Sequence, residues 1–250
     1  MANLQKNIQQ AVEDFDNIKS AIEAKGVPVG ASPTNQYGEK ISKIFCGDVS
    51  ALTPLIERSF TELVIPYGTT AIASNVFSSY KNLSNVVIPE TVKSIGDYAF
   101  NETGIKEIVL PQSLTTIGFS VFRYCNSLTK AVFNSDNIKF TGSNSYMFYY
   151  CLSLKELYNI PNFLGNYPFV YFVSGCTNLE SVSVVKNFNT SGLNLTASTK
   201  FSAETLVAVL ENLADRTGLA SYSITFGADN LAKLTDEQIT IATNKNWIIS

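Results

Sequence analysis

TELVIPYGTTAIASNVFSSYKNL (residues 61–83), SNVVIPETVKSIGDYAFNETGI (84–105) and KEIVLPQSLTTIGFSVFRYCNSL (106–128) are three successive copies of one pattern. Pro66, Pro89 and Pro111 are separated by 23 and 22 residues. Phe77, Phe100, Phe122, Phe148 and Phe172 recur at 23, 22, 26 and 24, and Leu83, Ile105, Leu128, Leu154 and Leu179 at 22, 23, 26 and 25. Columns that share a period of this size mark a solenoid, because one such unit cannot bury its own apolar face and stacked units can.

Each copy reads as a short strand, a Pro-led turn, a second extended piece ending in Ile-Gly, and a compact turn. The first strands are expected over 60–65, 83–88, 105–110, 128–133, 154–160 and 179–184. Alternation points Leu63, Val86, Ile108, Ala131, Leu157 and Val182 inward, and Glu62, Asn85, Glu107, Lys130 and Glu156 outward.

The pattern IP-x-x-V-x-x-IG-x-x-AF-x-x-C-x-x-L, present in IPETVKSIGDYAF and VFRYCNSL, resembles the BspA-like class of leucine-rich repeat over about residues 59–185. The resemblance implies a β-solenoid that presents a surface for binding. MFYYCLSL lacks the Ile-Gly and FVSGCTNL carries an extra residue before Cys176, so the geometry of 134–176 is left open.

Downstream, FSAETLVAVLENLADRTG and YSITFGADNLAKLTDEQITIATNKNWIIS read helix, strand, helix, strand. Ser202 is the expected N-cap, and Thr235 with Gln238 the expected capping box. This segment resembles the terminal unit appended to such repeats, which would cover the last open edge.

Upstream, residues 3–25 read as one helix. Leu4, Ile8, Ala11, Phe15, Ile18 and Ile22 alternate in steps of four and three, the seam of a coiled coil, and Ile in both registers favours a trimer. A helix packed on its own domain is the competing reading. Gly26 and Pro28 end the helix. IEAKGVPVGASPTNQYGEKISKI resembles a segment of bacteriophage tail and baseplate proteins, which implies attachment to a virion. The expected architecture is therefore α+β. It comprises a coiled-coil helix (1–25), a linker with a short helix (26–58), a solenoid (59–190) and an αβαβ C-terminal cap (191–250).

Composition narrows the function. Charged residues make up 16% of the 250, with a net charge of -3 and no Lys/Arg cluster of the kind nucleic-acid binding requires. Histidine is absent, which removes Ser–His and Cys–His nucleophile pairs. Cys46, Cys125, Cys151 and Cys176 form no C-x-x-C pair, so no metal or cofactor is expected. The start carries no secretory apolar region and no run long enough to span a membrane, which suggests a soluble protein made in a cytoplasm.

Cys125, Cys151 and Cys176 share a column, which reads as a ladder of buried thiols or as neighbours close enough to bond. Glu62, Glu107 and Glu156 share a face but sit on non-adjacent repeats without a cleft, so no active site is expected. Ten Tyr and Phe residues crowd 146–172. Tyr149 and Tyr150 share columns with Ser78, Asn101, Arg123 and with Ser79, Glu102, Tyr124, which tolerate charge and should face water. Tyr158 stands in the outward strand column. Filling of a wider core accounts for most of these rings; Tyr149, Tyr150 and Tyr158 are the candidate ligand-binding residues. The functional expectation is a non-enzymatic tail or baseplate protein of a virion. It would oligomerise through its first helix, dock on other tail proteins and face a host-surface glycan or protein. The alternative is a BspA-like bacterial surface adhesin.

Overall fold

A computed structural model of the chain describes residues 60–141, 146–164 and 169–250. The N-terminal helix, its seam Leu4, Ile8, Ala11, Phe15, Ile18 and Ile22, the trimer and the 26–58 linker lie outside the described residues. Residues from Phe60 to Ser250 form one compact unit.

Each of the first five coils contributes one strand to each of two parallel sheets, and the sixth adds a strand to the first sheet alone. Sheet A runs β1 (Glu62–Val64), β3 (Asn85–Val87), β5 (Glu107–Leu110), β7 (Lys130–Phe133), β9 (Glu156–Ile160) and β11 (Ser181–Val184). Sheet B runs β2 (Ala71–Ile72), β4 (Ser94–Ile95), β6 (Thr116–Ile117), β8 (Asn137–Phe140) and β10 (Asn162–Leu164). Register holds along sheet A from β1 to β9, where Glu62 faces Asn85, Asn85 faces Glu107, Glu107 faces Lys130, and Lys130 faces Glu156; between β9 and β11 it shifts after Val182. Val86, Ile108, Ala131, Leu157 and Val182 are buried, as alternation requires. The copies that lack Ile-Gly keep the two-sheet path, with β8 and β10 supplying sheet B.

The Pro column closes the first corner. The carbonyls of Pro66, Pro89 and Pro111 accept from the amides of Thr69, Val92 and Leu114, each at 3.1 Å. The second corner holds the Phe column, which is a stack of rings. Phe77–Phe100, Phe100–Phe122 and Phe122–Phe148 lie 5.4, 5.6 and 5.5 Å apart with interplanar angles of 14°, 2° and 7°. Phe172 breaks the stack by meeting Phe148 edge-on at 83°, in the coil that carries the extra residue.

Two columns of this corner have left-handed backbone: Asn75, Tyr98 and Ser120, then Ser79, Glu102, Tyr124, Tyr150 and Gly175. The conformation costs roughly 1–2 kcal/mol for an L-residue. It turns each amide of the second column onto the next coil: Ser79 N donates to Asn101 O at 2.8 Å, Glu102 to Arg123 at 2.8 Å, Tyr124 to Tyr149 at 2.9 Å and Tyr150 to Ser174 at 2.8 Å. One such bond, worth about 0.5–1.5 kcal/mol net, offsets much of that cost.

The C-terminal unit differs from the expected αβαβ order. It runs β12 (Leu193–Asn194), α1 (Ala203–Glu211), β13 (Tyr222–Thr225), α2 (Ala228–Leu231), α3 (Asp236–Thr243) and β14 (Trp247–Ile249). The single helix expected before β14 is two, because Thr235 begins a new one: its side chain accepts from Gln238 N while Gln238 caps Thr235 N. Strands β12, β13 and β14 form a third parallel sheet. Helix α1 packs on β11 and α3, burying Leu206, Val209 and Leu210. The Lys245 ammonium donates to the carbonyls of Leu210, Glu211 and Leu213, a cation on the negative end of α1. No helix among the described residues is long and apolar enough to cross a membrane.

Candidate functional site

The Phe corner carries an edge of tyrosines around one arginine. The site follows from the backbone. In the first four coils the residue two after the Phe is left-handed, so its side chain leaves the core just as the ring before it enters; in the fifth the extra residue moves this position to Gly175. In the third and fourth coils that residue is Tyr124 or Tyr150, preceded by Arg123 or Tyr149. The Tyr149 ring lies 4.6 Å from Tyr150, 5.8 Å from Tyr124 and 5.1 Å from Tyr146, and Tyr146 stacks on Tyr171 at 4.8 Å and 8°. Tyr150 is 44% exposed and Tyr171 41%, so two rings of the edge stand open to solvent.

Arg123 lies across this edge. Its guanidinium carbon is 4.6 Å from the Tyr124 ring centre and 5.5 Å from that of Tyr149, within cation–π range. Its Nη2 donates to Tyr124 Oη at 3.3 Å, which holds its charged form even more firmly than is usual for arginine. Its Nε is buried without a hydrogen-bond partner among the described residues. Gly175 completes the floor: an added Cβ would sit 2.8 Å from the Tyr150 ring.

Of the three expected ligand residues, the structure brings Tyr149 and Tyr150 together. Tyr158 is on the outer face of sheet A, over which Lys130 lies at 5.4 Å while ion-pairing Glu156 at 2.9 Å. The expectation that the two turn columns face water holds only for Tyr150. Asn101 is buried and donates to Ser78 Oγ at 3.3 Å, and the remaining members are half-buried because each leans on the coil beside it. Sequence reasoning missed Arg123, Tyr124, Tyr146 and Tyr171 as members. The signal was the column itself, since Arg123 and Tyr124 align with the two tyrosines singled out.

The thiols are a buried ladder. Cys125, Cys151 and Cys176 are free. Each Sγ donates to the Phe carbonyl of the preceding coil: to Phe100 at 3.1 Å, Phe122 at 3.0 Å and Phe148 at 3.0 Å. In the second coil Thr103 holds the same column, and its Oγ1 donates to the Phe carbonyl of its own coil, Phe100 O, at 2.9 Å. Burial pushes the Cys125 thiol up to about 11 and that of Cys151 well above its ordinary value. Burial thus keeps the Cys125 and Cys151 thiols protonated, as structural donors. The carboxylates of Glu107 and Glu156 are kept apart by Lys130, which sits between them in the register.

The sequence matches the BspA type leucine rich repeat region in six copies, over residues 56–173 and 144–216. No curated relative matches at significant similarity. Among solved structures, a leucine-rich repeat protein of T. pallidum is 21% identical, with 77% of this chain aligned to 86% of that one at a TM-score of 0.49. A leucine-rich cell surface protein of Faecalibacterium prausnitzii is 17% identical over 76% of this chain and 60% of that one, with a TM-score of 0.32. A leucine-rich repeat protein of Bacteroides ovatus is 20% identical over 76% and 54%, with a TM-score of 0.35. The chain thus spans less than two thirds of the latter two.

Proposed function

Because this chain belongs to the BspA-type leucine-rich repeat family, we propose that it is a non-enzymatic binding protein of the adhesin kind, using its tyrosine–arginine edge to hold a surface partner. The observation that carries this is the edge itself: Tyr124, Tyr146, Tyr149, Tyr150 and Tyr171 are linked ring to ring on a hydrogen-bonded coil stack. Tyrosine on a rigid frame supplies contact area and a hydroxyl while losing little side-chain entropy on binding. The second reading, a virion tail or baseplate protein, is favoured by the seam Leu4 to Ile22 and by the KGV segment after it. It would make the chain a trimer docked to other tail proteins.

Fluorescently labelled chain applied to cultured epithelial cells and, separately, to bacterial cells tests both. The adhesin reading expects epithelial binding that falls at least about fivefold in a Tyr149→Ala/Tyr150→Asn variant with an unchanged unfolding midpoint. Binding confined to bacterial cells would transfer support to the tail reading. No binding to either, or binding indifferent to the variant, would sink the role given to the edge.

A further inference from the structure

We propose that the tyrosine edge continues into a polar cleft that takes a neutral oligosaccharide, a proposal that rests on the reading of that edge as the binding surface. The cleft originates in a single missing residue. From the Phe column to the Leu column the coils span 6, 5, 6, 6 and 7 residues, the second (Phe100 to Ile105) being the shortest. Its turn is therefore drawn in. Thr103 is only 3% exposed, and a Cβ on Gly104 would fall 2.2 Å from Lys81 O. The neighbouring turns stay at full length and become walls around an open cleft of about 380 Å³, lined by Lys81, Glu102, Thr103, Tyr124, Asn126 and Ser127. Ligand-holding cavities run from about 300 to 1,000 Å³.

The lining chooses the chemistry. A pyranose has a rim of hydroxyls, each donor and acceptor at once, and an apolar face of C–H groups. Asn126 amide, Ser127 hydroxyl, Glu102 carboxylate and Lys81 ammonium offer both donors and acceptors at the rim. The opposite charges of Lys81 and Glu102 favour neither an acidic nor a basic ligand. A proline-rich or apolar peptide would find no apolar pocket here, since the walls are polar. Tyr124 joins the two halves: it lines the cleft, and its ring lies 5.9 Å from that of exposed Tyr150. One sugar can thus sit in the cleft by hydrogen bonds while the next lies against the tyrosine faces.

The full chain is screened on a microarray of neutral and acidic oligosaccharides, and the strongest neutral glycan is titrated calorimetrically. Mucin glycoprotein is tested in parallel before and after enzymatic deglycosylation. Tyr124→Asn and Tyr150→Asn keep a residue that tolerates left-handed backbone, so both should fold, and a cooperative unfolding transition above the assay temperature checks it. We expect a neutral glycan to bind, each of these variants to weaken it about tenfold, Asn126→Ala about threefold, and Tyr158→Ala less than about twofold. Mucin binding should vanish on deglycosylation. If deglycosylated mucin still binds and Tyr150→Asn abolishes it, the saccharide assignment is overturned and the edge stands as a protein-binding surface. If only acidic glycans bind, neutrality of the ligand is overturned. If neither the array nor mucin binds, or binding ignores Tyr124 and Tyr150, both the saccharide and the edge fall.

Discussion

At the scale of single residues, the decisive feature is that left-handed positions and side-chain size are matched between coils. Gly175 has φ +82°, and a methyl there would stand 2.8 Å from the Tyr150 ring. Gly175→Ala should therefore cost about 1–3 kcal/mol and lower the denaturant midpoint, with the loss of Tyr150 packing visible in near-ultraviolet circular dichroism. Gly68, also at positive φ (94°) but with open space around the missing Cβ, is the control and should lose only the conformational part. The thiols make a second residue-scale prediction. Cys125 moves from 9.0 to about 11 because burial disfavours its thiolate. The folded state then holds its proton more tightly than the unfolded state does. This contribution to stability is complete below pH about 9 and is lost as pH climbs from 9 through 11, at most about 2–3 kcal/mol. Urea midpoints at pH 8 and pH 10.5 measure it, and Cys125→Ala should flatten part of the slope. The buried thiols should also resist alkylation at pH 8 until the chain is unfolded. Such shielded cysteines carry no information about the compartment the protein occupies, since an oxidant cannot reach them.

At the scale of elements, the coil's sequence pattern specifies nearly everything except where a turn projects. The strands are shorter than alternation alone suggested: two to five residues each. Pro66, Pro89 and Pro111 follow the first three strands of sheet A, and Ile-Gly ends β4 and β6 of sheet B. The Phe stack is the element that couples the coils. Phe100→Ala removes a fully buried ring that stacks on both Phe77 and Phe122, and should cost about 3–5 kcal/mol by calorimetry or urea titration. Helix α1 begins at Ser202, whose side chain accepts from Thr205 N at 3.2 Å. Ser202→Ala should therefore destabilise by about 1 kcal/mol, and Ser202→Asp should restore most of it, as acceptor strength and helix dipole require. The carboxylate of neighbouring Glu204 is already held below its ordinary pKa by its own backbone amide at that end.

At the scale of the whole molecule, a stack of coils is held by its neighbours and needs an end. The C-terminal unit is that end: α1 lies on the last sheet A strand, β11, and buries Leu206, Val209 and Leu210. In a quasi-one-dimensional protein the loss of a cap propagates into the coil beneath it. Leu210→Ala should cost about 2–5 kcal/mol, and Leu206→Asp should expose apolar surface on β11. Dye binding and hydrogen exchange concentrated at residues 154–184, ahead of the earlier coils, would check this. Uniform protection loss across all coils would show instead that the repeats unfold as one unit.

Read alone, the sequence determined the period, the inward and outward columns, the Phe and Cys columns, both helix caps and the family resemblance. Each of these is a local or periodic property, and stacking repeats it faithfully. The tertiary structure decided the rest. It split one expected C-terminal helix into two and added β12 beside β13. It parted Tyr158 from Tyr149 and Tyr150, placed Arg123 across them, and opened a cleft where one coil is a residue short. The reason is that lateral neighbourhood between coils depends on how far each turn reaches. A one-residue difference barely alters a repeat pattern, yet it decides which side chains of adjacent coils share a surface.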